Sequence, residues 1–125
     1  MATIELTDAN FKKTITDNDM VLVDFWAPWC APCRSFAPIY ESVSEKHPDA
    51  VFAKVNTEEQ QALGAHFQIR SIPTLMIFRE QIIIFSQAGS LPAAALDEVI
   101  AKAKELDMDM VRKEIANHGQ SSAAG

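Results

Sequence analysis

Only two cysteines, Cys30 and Cys33, occur in the 125 residues. That scarcity excludes a scaffold stapled by several disulfides and leaves the pair to act together or not at all. Cationic side chains are also few: 11 Lys and Arg stand against 17 Asp and Glu, a formal charge of −6. Such a field repels phosphate backbones and anionic lipid headgroups, so neither nucleic acid nor a membrane is expected as a partner. No apolar run approaches the ~20 residues needed to cross a bilayer. The opening Met1-Ala2-Thr3-Ile4-Glu5 lacks the basic-then-apolar layout of a secretory signal, and a cytoplasmic location is expected. No internal repeat is visible.

What is present reads as one domain. The hydrophobic share of 48% and charged share of 22% match an ordinary globular chain. A chain of this length can hide roughly two-thirds of the surface its unfolded form exposes. Thr7-Asp8 looks like a helix start, with Phe11 and Ile15 one turn apart on a single face. Val21-Leu22-Val23-Asp24-Phe25 and Val51-Phe52-Ala53-Lys54-Val55 are runs typical of strands buried on both faces, each interrupted by one charge. Between them, Phe36, Ile39, Tyr40 and Val43 repeat at helical spacing as far as about Lys46, where His47-Pro48 closes the helix; Pro38 should kink it.

Thr57, Glu58 and Glu59 suggest the opening of a short helix through Ala62 and Leu63. Thr74 to Phe78 and Ile82 to Phe85 read as two strands joined by Arg79-Glu80-Gln81, short enough for an antiparallel hairpin. Gly89 breaks the chain, Ser90 is a candidate cap, and Leu96, Val99, Ile100 and Ala103 give the face of a core helix. Met108, Val111 and Ile115 share a further helical face, and Gly, Ser and Ala dominate the end. The expected fold is α/β: a mixed sheet with a parallel crossover half and an antiparallel half, flanked by helices on both faces, with an additional C-terminal helix. The expected division is a domain over residues 1–106, a helical extension over 107–117 and a disordered tail over 118–125.

Trp29-Cys30-Ala31-Pro32-Cys33 sets two thiols three positions apart where a predicted strand hands over to a predicted helix. A helix N-terminus offers unpaired N–H groups and the positive end of its dipole, both of which stabilise a thiolate. Cys30 is expected at the cap with its sulfur towards solvent, and Cys33 behind it within bridging distance. Disulfide exchange proceeds by thiolate attack through a mixed disulfide that a second thiol must clear, and this spacing makes the clearing step intramolecular. Pro32 restricts the backbone between the sulfurs. Two other readings are open. The pair could be half of a zinc site, although His47, His66 and His118 lack ligand spacing, or both could be inert core cysteines.

The segment from Val21 to Cys33 resembles the active-site segment of thioredoxins. Ala53-Lys54-Val55-Asn56, then Ile69-Arg70-Ser71-Ile72-Pro73-Thr74, then Ala88-Gly89 follow in that family's order, and the resemblance runs from about Thr7 to about Leu106. It implies a thioredoxin fold and protein-disulfide reductase activity, with Cys30 as nucleophile, Cys33 as resolving cysteine and Pro73 as a cis-proline facing the disulfide. By base rates alone Pro73 would be an ordinary trans-proline starting a strand. A cis bond would turn the strand end so that the Ile72 backbone can pair with an extended peptide.

Asp24 and Lys54 each put a charge in an apolar strand, which patterning alone leaves as either a buried pair or two side chains snorkelling to the edge. The resemblance sets them side by side beneath Cys33, where desolvation would raise the carboxyl and suit it to take the Cys33 proton. Trp26, Trp29, Ile72 and Ala88 would form an apolar collar for the client, together with Ala31, Pro32, Pro73 and Gly89; Trp26 could equally be core. Three features depart from the family pattern: Ala31 for the more usual glycine, Arg79-Glu80-Gln81 for an Asn-Gly type of turn, and the extension after Leu106.

The resemblance implies disulfide-containing client proteins and an NADPH-dependent thioredoxin reductase as partners, with no cofactor or metal in the chain itself; a monomer is expected. The lack of an export signal favours reduction over an oxidant or isomerase role. The alternative from another class is a thioredoxin-like docking module whose redox activity is incidental.

Overall fold

The computed structural model describes residues 3–118. Its frame is set by the strand whose residues are most uniformly apolar. β2 (Met20–Trp26) is buried along its whole length up to Trp26, so it needs neighbours on both edges and helices on both faces. β3 (Val51–Asn56) lies parallel to it on one side and β4 (Thr74–Arg79) antiparallel on the other. A short β1 (Thr3–Glu5) extends the parallel half, β5 (Ile82–Ala88) the antiparallel half, and the order is β1-β3-β2-β4-β5. The mixed sheet expected from the sequence is therefore present, with an extra edge strand that the sequence reading missed.

Alternation along the strands builds two cores. Leu22, Phe52, Leu75 and Ile77 face α2 (Ala31–Ser44) and α4 (Ala93–Glu105), meeting Phe36, Tyr40, Leu96 and Ile100. Val23, Phe25, Val55 and Phe78 face the other way, under α1 (Phe11–Asp17) and α3 (Gln61–His66), and meet Ile15 and Leu63. One irregularity interrupts the pattern. Ile77 pairs with Phe85 but the next residue, Phe78, pairs with Ile83, so Ile84 is left as a bulge. Ile84 and Phe85, adjacent in sequence, consequently both pack towards α4.

Two helix starts differ from expectation because polar side chains that resemble caps are used in turns instead. Thr7 opens a turn in which its Oγ1 accepts the Ala9 N–H and the Thr7 N–H donates to Asn10 Oδ1, and α1 begins only at Phe11. Asn56 Oδ1 accepts the Glu58 N–H, which holds Thr57 to Glu59 in a turn and delays α3 to Gln61. Ser90 is not the cap of α4; Pro92 is the residue before its first turn, and no side chain caps it. α2 ends at Ser44, and it continues through Pro38.

α5 (Met108–Asn117) is the expected C-terminal helix. Asp107 Oδ1 caps it by accepting the Asp109 and Met110 N–H groups at 3.0 and 3.2 Å. Met108 is buried, Val111 and Ile115 are half-buried, and Arg112 pairs with Glu80 of the β4–β5 turn. Arg79 at the end of β4 donates to the Ala103 carbonyl at 2.7 Å and to that of Lys104 at 3.5 Å, closing the end of α4. Of the tail expected over 118–125, only His118 is described, as the residue after α5; the rest lies outside the described residues. Among the described residues no helix is long and apolar enough to cross a membrane.

Candidate active site

β2 delivers the chain to the C-terminal end of the parallel strands, and α2 starts there. Cys30 is the N-cap of α2: its extended backbone precedes the first turn, and its Sγ accepts the Cys33 N–H at 3.2 Å. Pro32 falls in that first turn, where a missing N–H leaves nothing unpaired. The Cα atoms of Cys30 and Cys33 are 5.2 Å apart and the two sulfurs are joined in a disulfide. Among the described residues no three His, Cys, Asp or Glu side chains converge as metal ligands.

Cys33 is 2% exposed and Cys30 only 5%, so the expectation of a sulfur open to solvent needs correction. Ala27, Trp26 and Ile72 pack around the disulfide. Cys30 Sγ lies 3.6 Å from the Ile72 carbonyl oxygen, which could accept its proton in the reduced thiol. Ile72-Pro73 is a cis peptide, as the resemblance implied. The Pro73 carbonyl accepts the Gly89 N–H at 2.8 Å, which ties Ala88-Gly89 beside it, and Gly89 has φ of +100°. Ala31, Pro32, Ala88 and Gly89 are exposed, Ile72 is half-buried and Pro73 is buried.

Trp29 is 65% exposed and its indole N–H donates to Glu58 Oε1 at 2.7 Å. Glu58 was not among the sequence candidates. Nor was Thr57, whose N–H and hydroxyl both donate to the Trp26 carbonyl, at 2.8 and 3.0 Å. Together they fasten the start of the β3–α3 turn to the end of β2. These partners are 29 and 31 residues apart in sequence, and no local pattern announces them.

Beneath this surface Asp24 and Lys54 occupy matching positions on β2 and β3. Asp24 is 1% exposed, and neither carboxyl oxygen has a hydrogen-bond partner. Burial pushes its pKa up to about 7; the Lys54 ammonium pulls it down and Glu5 pushes it up. Lys54 is half-buried, with its Nζ 4.6 Å from the centre of the Trp26 ring. The outcome lies between the two readings that patterning left open. Lys54 spans apolar surface to reach the aromatic ring, whereas Asp24 stays inside and is compensated only through space.

Comparison with known proteins agrees with this geometry. The family model for thioredoxin matches residues 2–102. The Streptomyces coelicolor protein assigned as thioredoxin 2 is 56% identical over 124 residues, covering 99% of this chain and 91% of that protein. Thioredoxin 1 of Nostoc is 40% identical over 103 residues, 81% of this chain and 96% of that one. Among solved structures, a point mutant of Halobacterium salinarum thioredoxin superposes with a TM-score of 0.78 at 32% identity, covering 84% of this chain and 93% of its own. The oxidised thioredoxin of Plasmodium falciparum gives 0.74 at 31% identity, covering 82% and 98%. The chain belongs to the thioredoxin family, and its Cys30–Cys33 pair makes it a thiol–disulfide oxidoreductase, a reductase of protein disulfides.

Proposed function

We propose that Cys30 is the attacking sulfur, Cys33 the resolving one, and Asp24 the base that frees Cys33. The reduced Cys30 thiolate attacks one sulfur of a client disulfide in line; the client S–S bond breaks and its other sulfur leaves as a thiolate. Cys33 then passes its proton to Asp24 and attacks Cys30 Sγ, releasing the second client sulfur. Both electrons come from the cysteine pair, which is left as the Cys30–Cys33 disulfide. An NADPH-dependent thioredoxin reductase, implied by the family, returns two electrons.

The observation that carries this division of labour is the Cys33 N–H aimed at Cys30 Sγ from the first turn of α2, while Cys33 itself is buried. That N–H and the helix dipole favour negative charge on Cys30 and offer none of this to Cys33. An apolar client segment would rest on Trp29, Ala31, Pro32, Ile72 and Ala88, with Pro73 and Gly89 holding the backbone beside them. Lys54 offsets the charge on Asp24 once it ionises. In this reading residues 1–106 carry the activity, 107–117 form an extension, and the chain works as a cytoplasmic monomer on disulfide-containing proteins.

Trapping separates the roles. Cys33→Ser should accumulate a mixed disulfide with an oxidised client, visible on a non-reducing gel, and Cys30→Ser should trap nothing. Equal trapping by both variants, or trapping by Cys30→Ser alone, would reverse the assignment.

A further inference from the structure

The β1 strand adds an ionisable side chain beside Asp24 and Lys54. Glu5 is in register with Lys54, and Lys54 with Asp24, so three charged residues form a row across β1, β3 and β2. Directly opposed residues share a face of the sheet, and this is the face that α2 covers. Lys54 stands between two carboxylates. Its ammonium rests over Trp26, which packs against the disulfide cluster.

We infer that Glu5 is a positioning residue of this site: from the far side of Lys54 it competes with Asp24 for the ammonium and thereby tunes the acid–base step at Cys33. The inference rests on the proposed role of Asp24 as base. Two effects run in the same direction. Glu5 repels a second negative charge on Asp24, and by attracting Lys54 through space it weakens the pull that would otherwise favour the ionised Asp24 carboxylate. Glu5, whose residue is exposed, is raised by the desolvation it does undergo, lowered by Lys54 and raised by Glu59.

The other groups around Asp24 leave the row its leverage. From α2 comes the Tyr40 phenol, whose O–H already donates to the Ala53 carbonyl at 2.8 Å. From β4 the register partner is Leu75, which carries no charge. Glu41 on α2 accepts the Thr3 hydroxyl at 2.9 Å and lies towards the β1 side. Strand spacing puts Glu5 and Asp24 about 10 Å apart at the backbone, a distance at which a partly screened charge moves a neighbouring titration by about half a pH unit.

The test uses the full chain. In Glu5→Gln the Asp24 carboxyl midpoint, followed by carbon NMR in the oxidised protein, should fall by about half a unit, and Glu5→Asp should restore it. The acid limb of the single-turnover rate for resolving a mixed disulfide should move by the same amount. An unmoved midpoint in Glu5→Gln overturns the inference. So does an equal shift in Glu59→Gln, because the effect would then be one of overall charge. A midpoint that moves while the resolution profile stays fixed overturns instead the base role of Asp24 on which the inference rests.

Discussion

Replacing Asp24 by asparagine removes a titrating group from the middle of the sheet, and the resulting change in stability should depend steeply on pH. In the unfolded chain this carboxyl titrates near its ordinary value of 3.8, and in the fold near 7. Below about pH 4 both states hold the proton, and the carboxyl makes no pH-dependent difference. As pH rises between the two values the folded state binds a proton that the unfolded state has released, so wild-type stability falls. Above about pH 7 both states are ionised and the full cost is present. Roughly three pH units at ~1.4 kcal/mol each give about 4 kcal/mol.

The asparagine does not titrate. Its amide meets the same surroundings in which neither Asp24 oxygen finds a partner, a cost of roughly 1–3 kcal/mol that is the same at every pH. Urea denaturation of both oxidised proteins between about pH 4 and pH 8 cancels that constant. The stability of Asp24→Asn minus wild type should grow by about 4 kcal/mol across the range, most of it below pH 7. A difference that stays flat within about 1 kcal/mol, or that grows on acidification, would refute a carboxyl held protonated by burial.

Two further substitutions probe how the site and the C-terminal half are held. Gly89→Ala should cost about 1 kcal/mol in urea denaturation, because φ is +100° while an added Cβ would meet no atom within 4 Å; a neutral result would show that the backbone relaxes freely there. Arg79→Met should cost about 2 kcal/mol, since the guanidinium of this 11%-exposed side chain donates to the Ala103 and Lys104 carbonyls. An unchanged denaturation midpoint would mean that water caps α4 equally well.

The long elements were legible because burial leaves a periodic mark. Leu22 with Val23, and Leu75 with Met76, show the continuous apolar texture of strands covered on both faces, and Phe36, Tyr40 and Val43 show one stripe of α2. β1 was missed because three residues, two of them exposed, hold too little alternation to register. Thr7 misled because a Thr oxygen serves a turn as readily as a helix cap, and Thr57 because its hydroxyl donates to the distant Trp26 carbonyl while Asn56 Oδ1 makes the turn; only the tertiary path decides which. In the site, the spacing of Cys30 and Cys33 and the lone charges at Asp24 and Lys54 are local signals. Glu58 against Trp29 and Glu5 beyond Lys54 arise from strand register and chain crossing, which one-dimensional pattern does not contain.

The bulge at Ile84 has a bearing on how the protein behaves in a crowded solution. β5 lies at the sheet edge with Ile82-Ile83-Ile84-Phe85 and no charge or proline from Ile82 to Ala88, a composition suited to polymerising edge to edge. A straight ladder would offer evenly placed N–H and C=O groups to the same strand of another molecule. The extra residue breaks that repeat halfway along and turns Ile84 and Phe85 inward towards α4, so a second copy meets a bent strand whose largest side chains are already engaged. Six net negative charges on each molecule add repulsion, so both charge and an irregular backbone ladder oppose association at the edge that carries the hairpin's stickiest sequence.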